Sequence, residues 1–122
     1  MNAAIAKARE TLPKFWAAFD HPSPGQDTFS LKVKITDGKA VEHFWTQNVE
    51  KKDGKIFATI GNDAEWVHNV KIGDRIEVPE ADISDWFYLQ NGKMVGNYTI
   101  RVLFKHMPAD EVAKYKTLLA EP

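Results

Sequence analysis

Apolar and polar residues alternate most regularly between residues 29 and 36. One side of this segment is apolar and consists of Phe29, Leu31, Val33 and Ile35. The other side is polar and consists of Ser30, Lys32, Lys34 and Thr36. A period of two residues predicts a half-buried β-strand. The Asp37-Gly38 pair that follows predicts a tight turn into a second strand.

Four further strands are predicted downstream. They cover residues 41–49, 55–60, 76–78 and 83–90. The turn pairs Asp53-Gly54 and Asn91-Gly92 fall between or after these segments, where hairpin turns favour such residues. The 41–49 segment carries Phe44 and Trp45 on opposite faces. This strand is therefore expected either to be covered on both faces or to line a cleft.

The two ends of the chain show helical spacing. Residues 2–19 place apolar side chains three and four positions apart, which predicts a helix. Pro13 predicts either a kink or a second short helix capped by Thr11. Residues 97–107 fit a strand or a helical turn, and the helix is the preferred interpretation.

Pro108 suits the first position of a final helix. Asp110 and Glu111 follow in its first turn, where acidic residues are favourable. An apolar stripe is expected on this helix, formed by Val112, Tyr115, Leu118 and Leu119. The order of elements predicts one α+β domain over residues 1–122. In it, a curved, barrel-like antiparallel sheet of about five short strands packs against N-terminal and C-terminal helices.

Composition narrows the classes of partner. The chain has 16 basic and 17 acidic side chains, which gives a formal net charge of −1. The chain therefore lacks the excess of positive charge that is typical of proteins that bind nucleic acid or an anionic membrane. The chain has no cysteine, which removes thiolate nucleophiles and cysteine-ligated zinc. The first residues lack the features of a signal peptide, and no apolar run reaches membrane-spanning length, so a cytoplasmic protein is expected.

Five short motifs then occur in order. They are Glu42-His43-Phe44-Trp45, Ile60-Gly61-Asn62-Asp63, Val70-Lys71-Ile72-Gly73-Asp74, Ile83-Ser84-Asp85-Trp86 and Gly96-Asn97-Tyr98-Thr99-Ile100-Arg101. Together they resemble the DUF2314 family of bacterial proteins, also described as YegJ-like. The resemblance implies a small bacterial domain with no settled biochemical role, and it supplies no catalytic residues.

The motifs supply the candidate binding residues. These are Glu42, His43, Trp45, Asn62, Asp85, Trp86, Tyr98 and Arg101. Trp45 and Trp86 could form an aromatic wall, a common feature of binding sites, or could fill the core. Asp85 could face a cleft, or it could cap a turn or pair with Arg101. Arg101 could instead bind an anionic ligand.

Recognisable catalytic and cofactor motifs are missing. The four histidines show no metal-ligand spacing, and no glycine-rich phosphate loop or nucleophile motif occurs. Neither a metal nor another cofactor is expected.

Three functional hypotheses remain open at this level. The first is a non-enzymatic binding module with an aromatic-lined cleft and a protein partner, one version being an immunity or antitoxin-like protein. The second is a small hydrolase or transferase that uses His43 with Asp85 or Glu42 as acid–base groups. The third is that the motif residues serve the fold alone.

Overall fold

The computed structural model describes residues 2–119, which form two compact units. The hairpin unit is Ser30–Ser84, and the helical unit comprises the described residues up to Phe29 and from Asp85 onward. The helices are α1 (Asn2–Asp20), α2 (Tyr98–Leu103) and α3 (Ala109–Leu118). The strands are β1 (Gln26–Asp37), β2 (Ala40–Lys52), β3 (Lys55–Ile60), β4 (Arg75–Glu77), β5 (Ile83–Gln90) and β6 (Lys93–Gly96).

The predicted α+β class with an antiparallel sheet is confirmed. The six strands follow the order β4-β3-β2-β1-β5-β6, and the sheet is not closed. Sequence analysis predicted about five strands, and the additional one is β6. Its four residues are too few for a visible alternation, and it is defined by its antiparallel pairing with β5 across the Asn91-Gly92 turn.

The N-terminal segment is one continuous helix, with Pro13 inside it. The alternative of a second helix capped by Thr11 is wrong, because the Thr11 hydroxyl donates within α1 to the Lys7 carbonyl at 2.9 Å. The buried side chains of α1 recur at three- and four-residue steps: Ala4, Ala8, Leu12, Phe15 and Ala18. Burial of this face stabilises the helix enough to offset the N–H group that proline lacks.

The two predicted C-terminal helices are present, although Pro108 lies just before the final helix and Leu119, expected in its apolar stripe, lies just beyond it. The ambiguous segment is helical as α2 and continues into a 3₁₀ turn, Phe104–His106. α3 begins directly after Pro108. Its side chains stay at least partly exposed, whereas Leu119, just beyond its end, is buried.

The hairpin unit is organised by the pairing of β1 with β2. Val33 lies opposite Phe44, and both side chains are fully buried. Phe44 packs with Ile60 and Val67 in the core of this unit. The outer strand β4 has only three residues, and Pro79 follows shortly after it.

Within residues 2–119, no helix combines the length and the apolar character that a membrane span requires.

Candidate functional site

The eight candidate residues divide equally between the two units. The hairpin unit holds Glu42, His43, Trp45 and Asn62, and the helical unit holds Asp85, Trp86, Tyr98 and Arg101. Each group has its own geometry, and each is described within its unit.

Glu42 is an internal anchor. Its side chain is buried at 8% exposure, and its carboxylate accepts the backbone N–H groups of Glu65, Trp66 and Val67 at 2.9–3.3 Å. The hydrogen bond from Trp66 and then those from Glu65 and Val67 hold the pKa of the Glu42 carboxyl below its ordinary value, although burial opposes them. The carboxylate thus fills a nest of three successive N–H groups.

The segment between β3 and β4, residues 61–74, is named the Trp66 loop. Besides Glu42, two further contacts fix it to the β1–β2 hairpin. The backbone N–H of His68 donates to the Asp37 carboxylate at 2.8 Å, and the Asn69 amide donates to the Thr36 carbonyl at 3.0 Å. A long loop without regular structure is therefore held at several points along its length.

The opposite face of the hairpin carries a different set of residues. Cross-strand pairing sets Lys32 opposite Trp45 and Lys34 opposite His43, and directly paired residues share a face of the sheet. The Lys32 ammonium lies 5.6 Å from the centroid of the half-buried Trp45 ring, within cation–π range. These four residues are named the Lys–Trp face.

His43 is fixed on this face by a neighbouring hydroxyl. Its Nδ1 lies 2.9 Å from Oγ of Ser84, and the Ser84 hydroxyl also lies 3.3 Å from the Lys32 carbonyl oxygen. Burial is the largest cause that lowers the pKa of His43 from its ordinary value, followed by the charges of Lys32 and Lys34. These effects favour the neutral form of the imidazole.

The hydrolase hypothesis requires a carboxylate that orients His43, and Glu42 does not supply it. Adjacent residues of a strand point to opposite faces, and the Glu42 carboxylate is bound to the Trp66 loop. Ser84 is a poor nucleophile in this setting, since it is 4% exposed and its hydroxyl is engaged with His43 and the Lys32 carbonyl.

Asn62 is brought next to Trp45 through the backbone. Its side-chain oxygen accepts the Trp45 N–H at 3.0 Å, and the Gly61 N–H donates to the Trp45 carbonyl at 2.9 Å. Asn62 therefore fixes the end of the β2–β3 pairing, and this positions the Trp45 ring.

In the helical unit, Asp85 occupies a capping position. It is 1% exposed, and its two oxygens accept four hydrogen bonds. The donors are the N–H groups of Trp86, Tyr98 and Thr99 and the hydroxyl of Thr99, at 2.7–3.2 Å. Of the alternatives for Asp85, the cap at the start of α2 is the one that its hydrogen bonds form, and these bonds tie β5 to that helix.

Trp86 lies in the core of the helical unit. Its ring is fully buried, its indole N–H donates to the Ala8 carbonyl at 3.0 Å, and its ring centroid lies 6.0 Å from that of Tyr98. Of the two alternatives for Trp86, the structure shows core packing and not an aromatic wall, because no part of this ring reaches the surface. Gly96 packs against it, and a Cβ built there would lie 2.8 Å from the ring.

Arg101 lies in the last turn of α2 and is half-buried. A basic residue in this turn is favourable beside the partial negative charge of the helix end. Tyr98 opens the same helix, so Asp85, Tyr98 and Arg101 are joined through α2.

Three residues that matter for these arrangements were not among the candidates. Lys32 and Lys34 were recognisable, since alternation already placed them on the polar side of β1. Ser84 was not, because its contact with His43 joins residues 41 positions apart and depends on the register of the fold.

Comparison with known proteins places these motifs in one family. The family described as "Uncharacterized protein conserved in bacteria (DUF2314)" matches residues 1–120. The chain belongs to the DUF2314 family. The resemblance inferred from the five motifs is confirmed.

Two relatives of this DUF2314 chain are informative. The uncharacterized protein YegJ of Escherichia coli (strain K12) is 35% identical over 119 residues, which cover 98% of this chain and 76% of YegJ. A protein of Neisseria meningitidis serogroup B, provisionally named an ankyrin repeat protein, is 29% identical over 119 residues. That match covers 91% of this chain and 47% of the relative, so the chain spans about half of its length. No solved structure matches the chain.

Proposed function

We propose that this DUF2314 protein is a non-enzymatic interaction module that binds a protein partner through the Lys–Trp face. The observation that carries the proposal is the register of β1 and β2, which gathers two lysines, an imidazole and a half-buried indole on one face. Tryptophan is one of the residues that contribute most to protein interfaces, and exposed lysines beside it attract an oppositely charged partner.

The charges on this face define the partner. Lys32 and Lys34 both disfavour a proton on His43, so the local potential is positive. A carboxylate on a partner is attracted by this positive potential and can pair with the lysines. The partner therefore carries an acidic segment, as an immunity or antitoxin-like role toward an acidic surface would require.

Two further observations support a protein over other partners. The overall charge of −1 is unfavourable for nucleic acid, whose binding depends on basic charge. The match to a relative named for ankyrin repeats is consistent with a domain used in protein interactions. We also assign the protein to the cytoplasm, on the basis of its lack of cysteine.

A charge-reversal pair tests the proposal. Lys34→Glu reverses an exposed charge beside His43, and Lys52→Glu makes the same change at the far end of β2. The parent and both variants carry a photo-crosslinking residue in place of Val41 and are crosslinked in cells of the source organism. A protein joined to the parent and to the Lys52 variant but not to the Lys34 variant supports the proposal. No crosslinked protein, or the same protein with all three baits, overturns it.

A further inference from the structure

Trp66 is the most exposed large apolar side chain in residues 2–119, with 63% of its surface accessible. Single exposed apolar residues are ordinary in proteins and need no explanation by themselves. What distinguishes Trp66 is that its own backbone is immobilised: its N–H donates to the buried Glu42 carboxylate at 2.9 Å, and the next residue, Val67, lies in the core.

This tryptophan is therefore presented at little entropic cost. Binding usually requires ordering of a loop, and a loop that is already fixed avoids that loss. The contacts of Asp37 with His68 and of Asn69 with Thr36 hold the loop just beyond Trp66. A rigid, exposed indole is a typical anchor of a protein interface.

The surroundings of Trp66 are acidic. The Trp66 loop contains Asp63 and Glu65, both exposed, and Lys71 is the single lysine or arginine in it. Asp37 adds a third carboxylate where it accepts the N–H of His68. An exposed indole on a loop with acidic residues suits a guanidinium group, which can stack on the ring and form bidentate hydrogen bonds to a carboxylate.

This surface is separate from the Lys–Trp face. Glu42, which holds the Trp66 loop, alternates with His43 along β2, so the two side chains point to opposite faces of the hairpin. The two surfaces also differ in the sign of their charge. We infer that the Trp66 loop is a second interaction surface, and that it binds an arginine side chain in a segment of a partner protein.

The inference is tested with a defined peptide. The capped peptide Gly-Arg-Gly-Arg-Gly is titrated into the ¹⁵N-labelled full chain, and its counterpart with citrulline in place of arginine is the matched neutral control. The Trp66 indole N–H signal is assigned by its absence from Trp66→Ala. We expect this signal to shift saturably as the arginine peptide is added. The affinity of the protein for the citrulline peptide should be at least about fivefold lower.

A second variant separates the two contributions. Asp63→Asn combined with Glu65→Gln retains the indole and removes its flanking charges, so affinity for the arginine peptide should fall about fivefold. Both altered proteins should melt at the parental temperature, because all three side chains are exposed. Equal binding of the citrulline peptide, or unchanged affinity in the double variant, would falsify the inference. So would a shift of the Trp66 signal with phosphatidylcholine vesicles and none with the arginine peptide.

Discussion

Oε1 of Glu42 accepts the backbone N–H of Trp66 at 2.9 Å, across 24 residues of sequence. One carboxylate on β2 thereby sets the conformation of a loop that otherwise has no regular structure. The same interaction explains why a charged residue is buried in the hairpin unit, since buried charge requires several hydrogen-bond partners.

Removal of this carboxylate should loosen the Trp66 loop. In Glu42→Ala the N–H groups of Glu65, Trp66 and Val67 lose their acceptor, and we expect the melting temperature to fall by roughly 5–10 °C. Acetate should restore part of the loss, because a free carboxylate fits the vacant nest. Differential scanning fluorimetry in acetate and in chloride at equal ionic strength measures both effects.

The matched control for this change is Glu50→Ala. Glu50 lies on the same strand, but its ion pair with Arg75 at 3.2 Å is exposed, and such pairs contribute little. Equal destabilisation by the two substitutions, or equal recovery in chloride, would argue against the anchoring role of Glu42.

The Glu42 contacts should also make stability depend on pH. Because the pKa of Glu42 is lower in the folded than in the unfolded protein, its stabilisation is complete above the unfolded pKa of about 4.3. It is lost as the pH falls through the lower folded pKa. The difference in free energy of unfolding between the parent and Glu42→Gln, measured in urea, should be constant from pH 7 to about 5.5 and decrease at lower pH. A difference that grows toward acid would contradict this sign.

Neutralisation of a neighbouring lysine should change the pKa of His43. In Lys34→Gln we expect the pKa of His43 to rise, because the like charge that disfavours the imidazolium form is removed. The Hε1 resonance of His43, followed by NMR from pH 4 to 8, measures the change. Lys52→Gln is the control, since Lys52 lies near the far end of β2 and should leave the titration unaltered.

The backbone at Gly96 should tolerate no side chain. Its φ is +98°, and a Cβ would lie 2.5 Å from the Trp86 carbonyl oxygen. Gly96→Ala should therefore reduce the free energy of unfolding by about 2–4 kcal/mol through strain and overpacking. Gly92→Ala has a similar φ of +82° but open space around its Cβ, and it should cost only about 1 kcal/mol. Urea unfolding of the two variants separates the cost of the positive φ from the cost of the contact with Trp86. An equal decrease in the free energy of unfolding of both variants would show that the contact with Trp86 contributes nothing.

Asp85 should be required for the start of α2. Asp85→Asn exchanges one acceptor oxygen for an amide that cannot accept from Thr99, so we expect a loss of about 2–4 kcal/mol in unfolding free energy. Asp27→Asn, an exposed aspartate in the same unit, should change it by less than about 0.5 kcal/mol. Denaturant unfolding at pH 7 distinguishes them, and an unaffected Asp85 variant would exclude the capping role.

Local patterns were sufficient for most of the fold. The alternation in β1, the glycine after Asp37 and the position of Pro108 each act over a few residues, and each predicted its element to within one residue: the turn is Gly38-Lys39, and α3 begins at Ala109. β6 was missed because pairing with β5, rather than its own four residues, makes it a strand. The final helix was predicted for the reasons that define it, a proline at its start and acidic residues in its first turn.

The candidate site was harder to predict because side-chain roles depend on distant partners. The sequence identified Glu42 and Asp85 as candidate residues, but most of the backbone N–H groups that their carboxylates bind lie 13 or more residues away. Trp86 and Trp45 look alike in the sequence, yet one is fully buried and the other is half-buried. No local pattern distinguishes these outcomes, since the packing of α1 decides the first and the sheet register decides the second.

The three-residue β4 has a consequence for the behaviour of the protein at high concentration. An outer strand offers unpaired backbone groups to strands of other molecules, and this is a common route to fibrous aggregates. Here that outer row is short, and Pro79, which has no N–H to donate, follows it closely. Polymerisation through this edge of the sheet is thereby disfavoured.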